Sequence, residues 1–247
     1  MKDEFIIGKN PVLEALRSGR EMNKIWVNER ARGSMQSVFR LAKQRGIFVQ
    51  PVPKRKLDQL AESANHQGVV ASVAAHRYAE MEALFRRAEE KGEPPFFVLL
   101  DEIEDPHNVG AILRTADAAG AHGVIMPKRR SPGLTAVVSK ASAGAVEYVP
   151  VVRVTNLART IDELKKRGLW FVGADAAGRE DYREADFNMA AGLVIGNEGR
   201  GISRLVKEKC DFLIHLPMAG RVASLNAAVA AGLLMYEVYR KRNPLGV

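Results

Sequence analysis

The sequence predicts an α/β protein of two domains, the larger built on a mostly parallel sheet with helices on both faces. Three observations predict this. Apolar runs such as FFVLLD (96–101) and GLVIG (192–196) are continuous instead of alternating, as in parallel strands buried on both sides. Helical patterns separate such runs along nearly the whole chain. The alternation breaks once, at RYAEMEALFRRAEEKGEPP (77–95), which reads as an exposed amphipathic helix closed by Gly and Pro-Pro, and so as a linker. The expected domains are residues 1–76 and 96–247, with 77–95 between them. A chain of 247 residues is long enough for both to bury a core.

In the first domain, NPVLEALRSG (10–19) reads as a helix with Asn10 as N-cap, Pro11 at its first position and Gly19 as its stop. KIWVNE (24–29) is a strand. SMQSVFRLAKQRG (34–46) is a helix capped by Ser34 and ended by Gly46. IFVQPV (47–52) is a strand, KRKLDQLAE (54–62) a short helix and GVVASVAA (68–75) a buried strand. After the linker come strand 96–101, helix 108–119, strand GVIMP (123–127), helix 134–141, strand EYVPVV (147–152) and helix 155–167. Strands LWFVGAD (169–175) and 192–196, helix 202–209, strand FLIHLP (212–217) and a last helix over about 224–241 complete the pattern. There are no internal repeats.

Charge is unevenly spread. The chain carries a net +8, of which residues 1–76 hold +6 (13 Lys and Arg against 7 Asp and Glu). A basic front domain on a nearly balanced body fits capture of a polyanion followed by chemistry elsewhere; a merely solvated basic domain is the plainer reading. No run of about 18 uncharged apolar residues spans a membrane. The start, MKDEFIIGKNP, lacks the long apolar segment of a signal peptide. The one cysteine, Cys210, suits a reducing cytoplasm and reads as a buried structural thiol. The five histidines show no metal-ligand spacing, and no G-x-S-x-G elbow is present.

Three loops fall at the carboxyl ends of strands, where open α/β sheets bind ligands. In DPHNVGAILRTADAAG (105–120), Asp105-Pro106 makes a turn, Asn108 is placed to cap the helix, and Gly110, Arg114 and Asp117 share one face. An Arg near a helix start is opposed by the helix dipole, so either an anion repays Arg114 or it pairs with Asp117 on a wet surface. In GLVIGNEGRGIS (192–203), the glycines follow neither the dinucleotide nor the P-loop spacing, and Glu198 would repel phosphate. A carboxylate among glycines suits a ligand with amine or hydroxyl donors; a plain turn is the alternative. In HLPMAGRVASLNAAVAAGLLMYE (215–237), Ser224 is the natural N-cap, Asn226 stands free of that task, and the helix has very small side chains. Those side chains suit either the monomer core or a subunit interface.

At these residues the sequence resembles the SpoU/TrmH family of SPOUT RNA 2′-O-methyltransferases. D-P-x-N-x-G-A-I-x-R-T-A (105–116), I-G-N-E-G-x-G (195–201) and L-P-M-x-G-x-x-x-S-L-N (216–226) match in order and spacing. IIGKNPVLEAL, NHQGVVA and VPVVRVTNLART extend the resemblance over nearly the whole chain, towards RlmB-type 23S ribosomal RNA guanosine 2′-O-methyltransferases. The resemblance implies an L30e-like RNA-binding domain and a SPOUT domain with a C-terminal deep trefoil knot, which no sequence pattern by itself predicts. It implies S-adenosylmethionine as cofactor, held by Gly196, Leu216 and Leu225 with neighbours Ile195, Met218 and Ala223. It places the functional polar set on Asn108, Arg114, Glu198, Ser224 and Asn226 and implies Arg114 as the base; because a guanidinium is costly to deprotonate, Arg114 is read as favouring the developing 2′-alkoxide electrostatically. It implies a homodimer that completes the active site, acting on 23S ribosomal RNA in the cytoplasm without a metal or a membrane. Methylation of another ribosomal or transfer RNA nucleotide, non-catalytic RNA binding, and nucleotide-phosphate binding through 196–201 are the competing readings; Glu198 counts against the last.

Overall fold

In the computed structural model, which describes residues 4–31, 33–62, 65–74, 76–222 and 224–245, strands and helices alternate as the apolar pattern predicts. In chain order they are β1 (Glu4–Ile7), α1 (Lys9–Arg17), β2 (Met22–Asn28), α2 (Gln36–Gln44), β3 (Val49–Val52), α3 (Lys54–Ala61) and β4 (Val69–Val73). Then follow α4 (Met81–Lys91), β5 (Phe96–Leu100), α5 (Pro106–Ala118), β6 (Gly123–Pro127), α6 (Ala136–Ala141), β7 (Val151–Val154) and α7 (Leu157–Lys165). The chain ends with β8 (Trp170–Ala174), β9 (Glu180–Asp181), β10 (Ala191–Ile195), α8 (Arg204–Lys207), β11 (Phe212–His215) and α9 (Ala227–Arg242).

The chain divides into two compact units, Met1–Arg77 with Gly133–Tyr148, and Tyr78–Pro132 with Val149–Val247. The first holds a four-stranded sheet in the order β1-β4-β2-β3, antiparallel except for the β2–β3 pair. Its inner face, with Ile6, Ile25, Val27, Ala71 and Val73, packs on apolar residues of α1 and α2. Segment 133–148, read from sequence as part of the second domain, packs with this unit. Tyr148 donates a hydrogen bond to Glu14 (2.6 Å), Arg20 pairs with buried Glu147 (2.7 Å), and Gly144 sits so close to Glu14 that a Cβ there would lie 2.5 Å from the Glu14 Cβ. These contacts join residues more than a hundred positions apart, which local pattern does not register.

The second unit holds a seven-stranded sheet, β7-β6-β5-β10-β8-β11-β9, with every pairing parallel. All five residues of β5 and of β10 are buried, as their continuous apolar runs demand. The helix of 77–95, expected to be exposed, instead buries Leu84, Phe85 and Ala88 against this sheet. Gly123 makes room for it, since a Cβ there would lie 2.3 Å from Leu84. Arg167 fastens it further, forking onto Glu82 (2.7 and 3.0 Å) with its guanidinium 3.4 Å from the Phe85 ring centre. Cys210 is half-buried rather than fully buried, and burial pushes its thiol up to about 12, as a structural thiol should behave. No helix among the described residues is long and apolar enough to cross a membrane.

Several cap assignments shift. α1 begins after Gly8 rather than Asn10, and α2 after Met35 rather than Ser34; neither cap side chain bonds the helix. α5 is capped by Asp105, whose carboxylate accepts from His107 N (2.9 Å), which frees Asn108. α9 is capped by Asn226, not Ser224: its Oδ1 accepts from Ala228 N (3.0 Å) and Val229 N (3.2 Å). Arg114 lies past the midpoint of α5, so the helix dipole does not oppose it.

Candidate active site

The chain turns from β5 into α5 and from β10 into α8 at the centre of the larger sheet, where the two strands lie side by side. Direction of winding reverses there, and a crevice opens beyond the strand ends. It is a pocket of about 690 Å³, within the range of small-molecule sites. Its apolar floor comes from Ile195, Ile214, Ala230 and Leu234. Its rim comes from the turns after β8, β10 and β11, including Gly196, Glu198, Leu216, Met218, Ser224 and Leu225. Ile195, Gly196, Leu216, Met218 and Leu225 are thus brought to one cavity from segments that lie apart in sequence. Ala223 lies outside the described residues.

The turn after β10 is tightly organised. Asn197 and Gly201 exchange main-chain hydrogen bonds (3.0 and 2.8 Å), and the Asn197 Oδ1 accepts from Gly199 N (3.0 Å) and Arg200 N (3.3 Å). Gly196 has no room for a side chain, since a Cβ would meet Gly201 C at 2.2 Å and Ile202 N at 2.3 Å. From the neighbouring strand, Asn197 Nδ2 donates to Glu102 O (3.1 Å), and the buried Asp101 carboxylate accepts from Ser203 N (2.7 Å). Glu102 holds a left-handed φ of 56° there and pairs with Arg130 and with Arg200 (3.5 Å). A non-glycine residue in that conformation is uncommon, and here its neighbours on both sides of the loop hold it.

Glu198 is the hub of the arrangement. Its Oε1 accepts from Asn108 Nδ2 (2.8 Å) on α5, from Ala227 N (3.1 Å) at the start of α9, and from Asn226 Nδ2. Asn226 Nδ2 also donates to Asn108 Oδ1 (3.0 Å). One carboxylate oxygen therefore ties three loops, and charge makes these bonds stronger than neutral ones. Among the described residues the other oxygen, Oε2, has no hydrogen-bond partner.

Arg114 does not join this network. It is exposed, it does not line the pocket, and it forms no hydrogen bond or ion pair among the described residues. The surface alternative, pairing with Asp117, is not realised; Asp117 faces Arg87 at 3.9 Å. Ser224 is likewise exposed on the rim and has no hydrogen-bond partner among the described residues.

A fourth loop was not legible in sequence. Asp175, Ala176 and Ala177, directly after β8, line the pocket, and Asp175 holds Lys207 at 2.6 Å across its wall. Their only sequence signal is a run of small residues at the end of a buried strand. Among the described residues, no cluster of three or more His, Cys, Asp and Glu side chains is placed to hold a metal ion.

The pocket suits a cofactor held largely by main chain. Among the described residues, the main-chain N–H and C=O groups of Gly196, Leu216 and Leu225 engage no protein partner across the turns that ring it. Polar groups of this kind at a cavity rim need a partner from solvent or ligand. The absence of space at Gly196 lets the backbone itself form the cavity wall.

Comparison with known proteins agrees with this geometry. The model of the SpoU rRNA methylase family matches residues 95–236, and that of the RNA 2′-O ribose methyltransferase substrate-binding domain matches residues 5–79. YacO of Bacillus subtilis, assigned by name to the TrmH family of tRNA/rRNA methyltransferases, is 62% identical over 98% of each chain. The SpoU methyltransferase AviRb of Streptomyces viridochromogenes, solved in complex with the cofactor AdoMet, superposes with a TM-score of 0.81, at 28% identity over 97% of this chain and 90% of its own. An AdoMet-bound rRNA methyltransferase of Sinorhizobium meliloti superposes with a TM-score of 0.77, at 27% identity over 96% and 87%. The chain therefore belongs to the SpoU rRNA methylase family, as an RNA methyltransferase that uses S-adenosylmethionine.

Proposed function

We propose that this chain methylates the 2′-oxygen of a guanosine ribose in 23S ribosomal RNA, in the cytoplasm and as a homodimer. The observation that carries the reading is the convergence of Asn108, Asn226 and Ala227 N on one carboxylate oxygen of Glu198, beside a pocket walled by main chain. Gly196, Leu216 and Leu225, with Ile195, Met218 and Ala223, hold the cofactor in a trefoil-knotted cradle made by the turns at 196–201 and 216–226. S-adenosylmethionine, when bound, supplies the methyl group from its sulfonium centre.

The protein must align the ribose 2′-oxygen and favour loss of its proton. The unpartnered Glu198 Oε2 accepts from a donor on the nucleotide, and the guanine Watson–Crick edge carries such donors. Ser224 adds a hydroxyl at the rim. Arg114 stabilises the developing alkoxide and grips the adjacent phosphate through its fork of donors. Because Arg114 stands away from the pocket of its own chain, it serves the pocket of a second copy. α9 supports that arrangement: it packs beside α5 and leaves Val229, Leu233 and Tyr236 exposed along one face. A second copy covers this apolar stripe.

The test is methyl transfer from labelled cofactor to unmodified 23S ribosomal RNA and to transfer RNA, followed by mapping of 2′-O-methyl positions through their resistance to alkaline cleavage. Label on a guanosine ribose of 23S RNA is expected. Label confined to transfer RNA, or to a base, overturns the assignment.

A further inference from the structure

The outer face of the first unit's sheet carries a group of side chains that its small core cluster leaves partly or largely open. Cross-strand partners share a face. Phe5 pairs with Ser72, and Ser72 with Lys24; one step along, Trp26 lies between Val70 and Gln50. The Phe48 carbonyl accepts from Ile25 N (3.0 Å), which carries the row on to Phe48. α3 covers part of this face through Leu57, Leu60 and Ala61, leaving Phe5 and Trp26 only partly buried. Phe48 stays 64% exposed.

A cation sits among these rings. Lys24 Nζ lies 5.5 Å from the Trp26 ring centre and 5.4 Å from that of Phe48, and Phe5 lies 6.0 Å from Trp26. Lys54, Arg55 and Lys56 begin α3 as an exposed basic turn, in a region that holds +6 of the chain's +8 charge. A neutral or basic protein surface would gain nothing from this concentration of cations. A strand of nucleic acid gains from both elements, stacking its bases on aromatic rings and setting its phosphates on the cations.

We infer that Phe48, Lys24 and Trp26 form a stacking platform for unpaired nucleotides of the RNA substrate, so that the first unit selects single-stranded or looped RNA. The inference deepens the proposed RNA reading and rests on it. Phe48 supplies the open ring, Trp26 backs the platform, and Lys24 holds the phosphate beside the stacked base. Duplex RNA cannot use the platform, because the faces of its bases are already stacked on one another.

The experiment uses the full chain with a short fluorescent single-stranded RNA and a loop-free, blunt-ended duplex stem of matched length, titrated over a salt series. Phe48→Ala should weaken single-strand binding by about fivefold or more, the lower end of what one stacked base contributes. It should leave stem binding and the slope of log affinity against log salt unchanged. Phe48→Trp should restore binding. Lys24→Gln should weaken it and lower the salt slope by about 0.7, one phosphate contact on a single strand. Phe48 is exposed, so its loss should leave the melting temperature and cofactor binding intact. Single-strand affinity unchanged in Phe48→Ala, an equal loss on the stem, or no rescue by Phe48→Trp each overturns the platform; the first of these is also what a protein-docking face would give. Methyl transfer by the wild-type chain is scored separately, so a failure of the proposed function is told apart from a failure of the platform.

Discussion

Replacing Gly196 with alanine tests whether the main chain itself shapes the cofactor pocket. An added Cβ would lie 2.2 Å from Gly201 C, 2.3 Å from Ile202 N and 2.5 Å from Gly201 O. These are main-chain atoms, so no side chain can swing aside. The Gly201–Ile202 peptide must retreat by about 1 Å to reach ordinary contact. That movement stretches the paired Asn197–Gly201 hydrogen bonds and draws Glu198 away from Asn108, Asn226 and Ala227. Forced insertion of one methyl into a close-packed site costs about 1–3 kcal/mol, a factor of roughly 5–150 in an equilibrium constant. Because the turn is exposed on its far side, most of this should appear as lost cofactor affinity rather than lost stability. Gly199, three positions on, is the control: a Cβ there meets only Asn197 Oδ1, at 3.7 Å. Calorimetric titration with S-adenosylmethionine should show Gly196→Ala binding at least about fivefold more weakly and Gly199→Ala near wild type. Wild-type affinity in Gly196→Ala, or equal damage from Gly199→Ala, would refute the reasoning.

Arg114→Ala should lower single-turnover methylation by about 100- to 1000-fold while cofactor affinity stays constant, and Arg114→Lys should recover little, because a point charge does not reproduce the planar fork. Loss of cofactor binding in a folded Arg114→Ala protein would show that Arg114 has another role. Leu233→Glu, placing a charge on the exposed stripe of α9, should convert a sedimenting dimer into a folded monomer; a wild-type chain that is monomeric at micromolar concentration contradicts the proposed assembly. His122 is buried, accepts from Phe96 N (2.9 Å) and faces Glu93 (3.1 Å). Burial, aided by the Lys91 charge and opposed by Glu93, pushes it down from 6.5 to about 4. The unfolded chain therefore binds a proton that the folded chain refuses between these values. This contribution is complete above pH 6.5 and is lost as pH falls towards about 4, up to about 3 kcal/mol. Urea unfolding at neutral pH and near pH 5 should show the loss in wild type and a smaller one in His122→Gln; identical losses would argue against it.

The legible parts of the site were those with a local cause. Gly196 stands out because the turn leaves no room for a side chain, Gly201 because its φ of 68° favours glycine, and Glu198 because a carboxylate among glycines is unlike a phosphate loop. Ser224 and Asn226 could be ranked as caps only by spacing, and spacing favoured the wrong one. The choice depends on where α9 begins, and that is set by Glu198 accepting from Ala227 N. Asp175 to Ala177 gave almost no signal, because small residues after a buried strand are common and become informative only when another loop closes over them.

The sequence by itself determined the α/β class, the buried strands β5 and β10, three of the loops at the site and the family. Each rests on periodicity, residue size or motif spacing within a few turns of chain. Only the tertiary structure decided that α4 covers the second unit's sheet and that segment 133–148 packs with the first. It alone showed that one oxygen of Glu198 gathers Asn108 and the start of α9, and that Arg114 stands apart from its own chain's pocket. The physical reason is common to all four. Each depends on which surfaces meet when distant segments cross, with separations of 90 residues for Asn108–Glu198 and 118 for Asn108–Asn226. Hydrogen bonding and packing act over a few ångströms in space, whatever the distance along the chain.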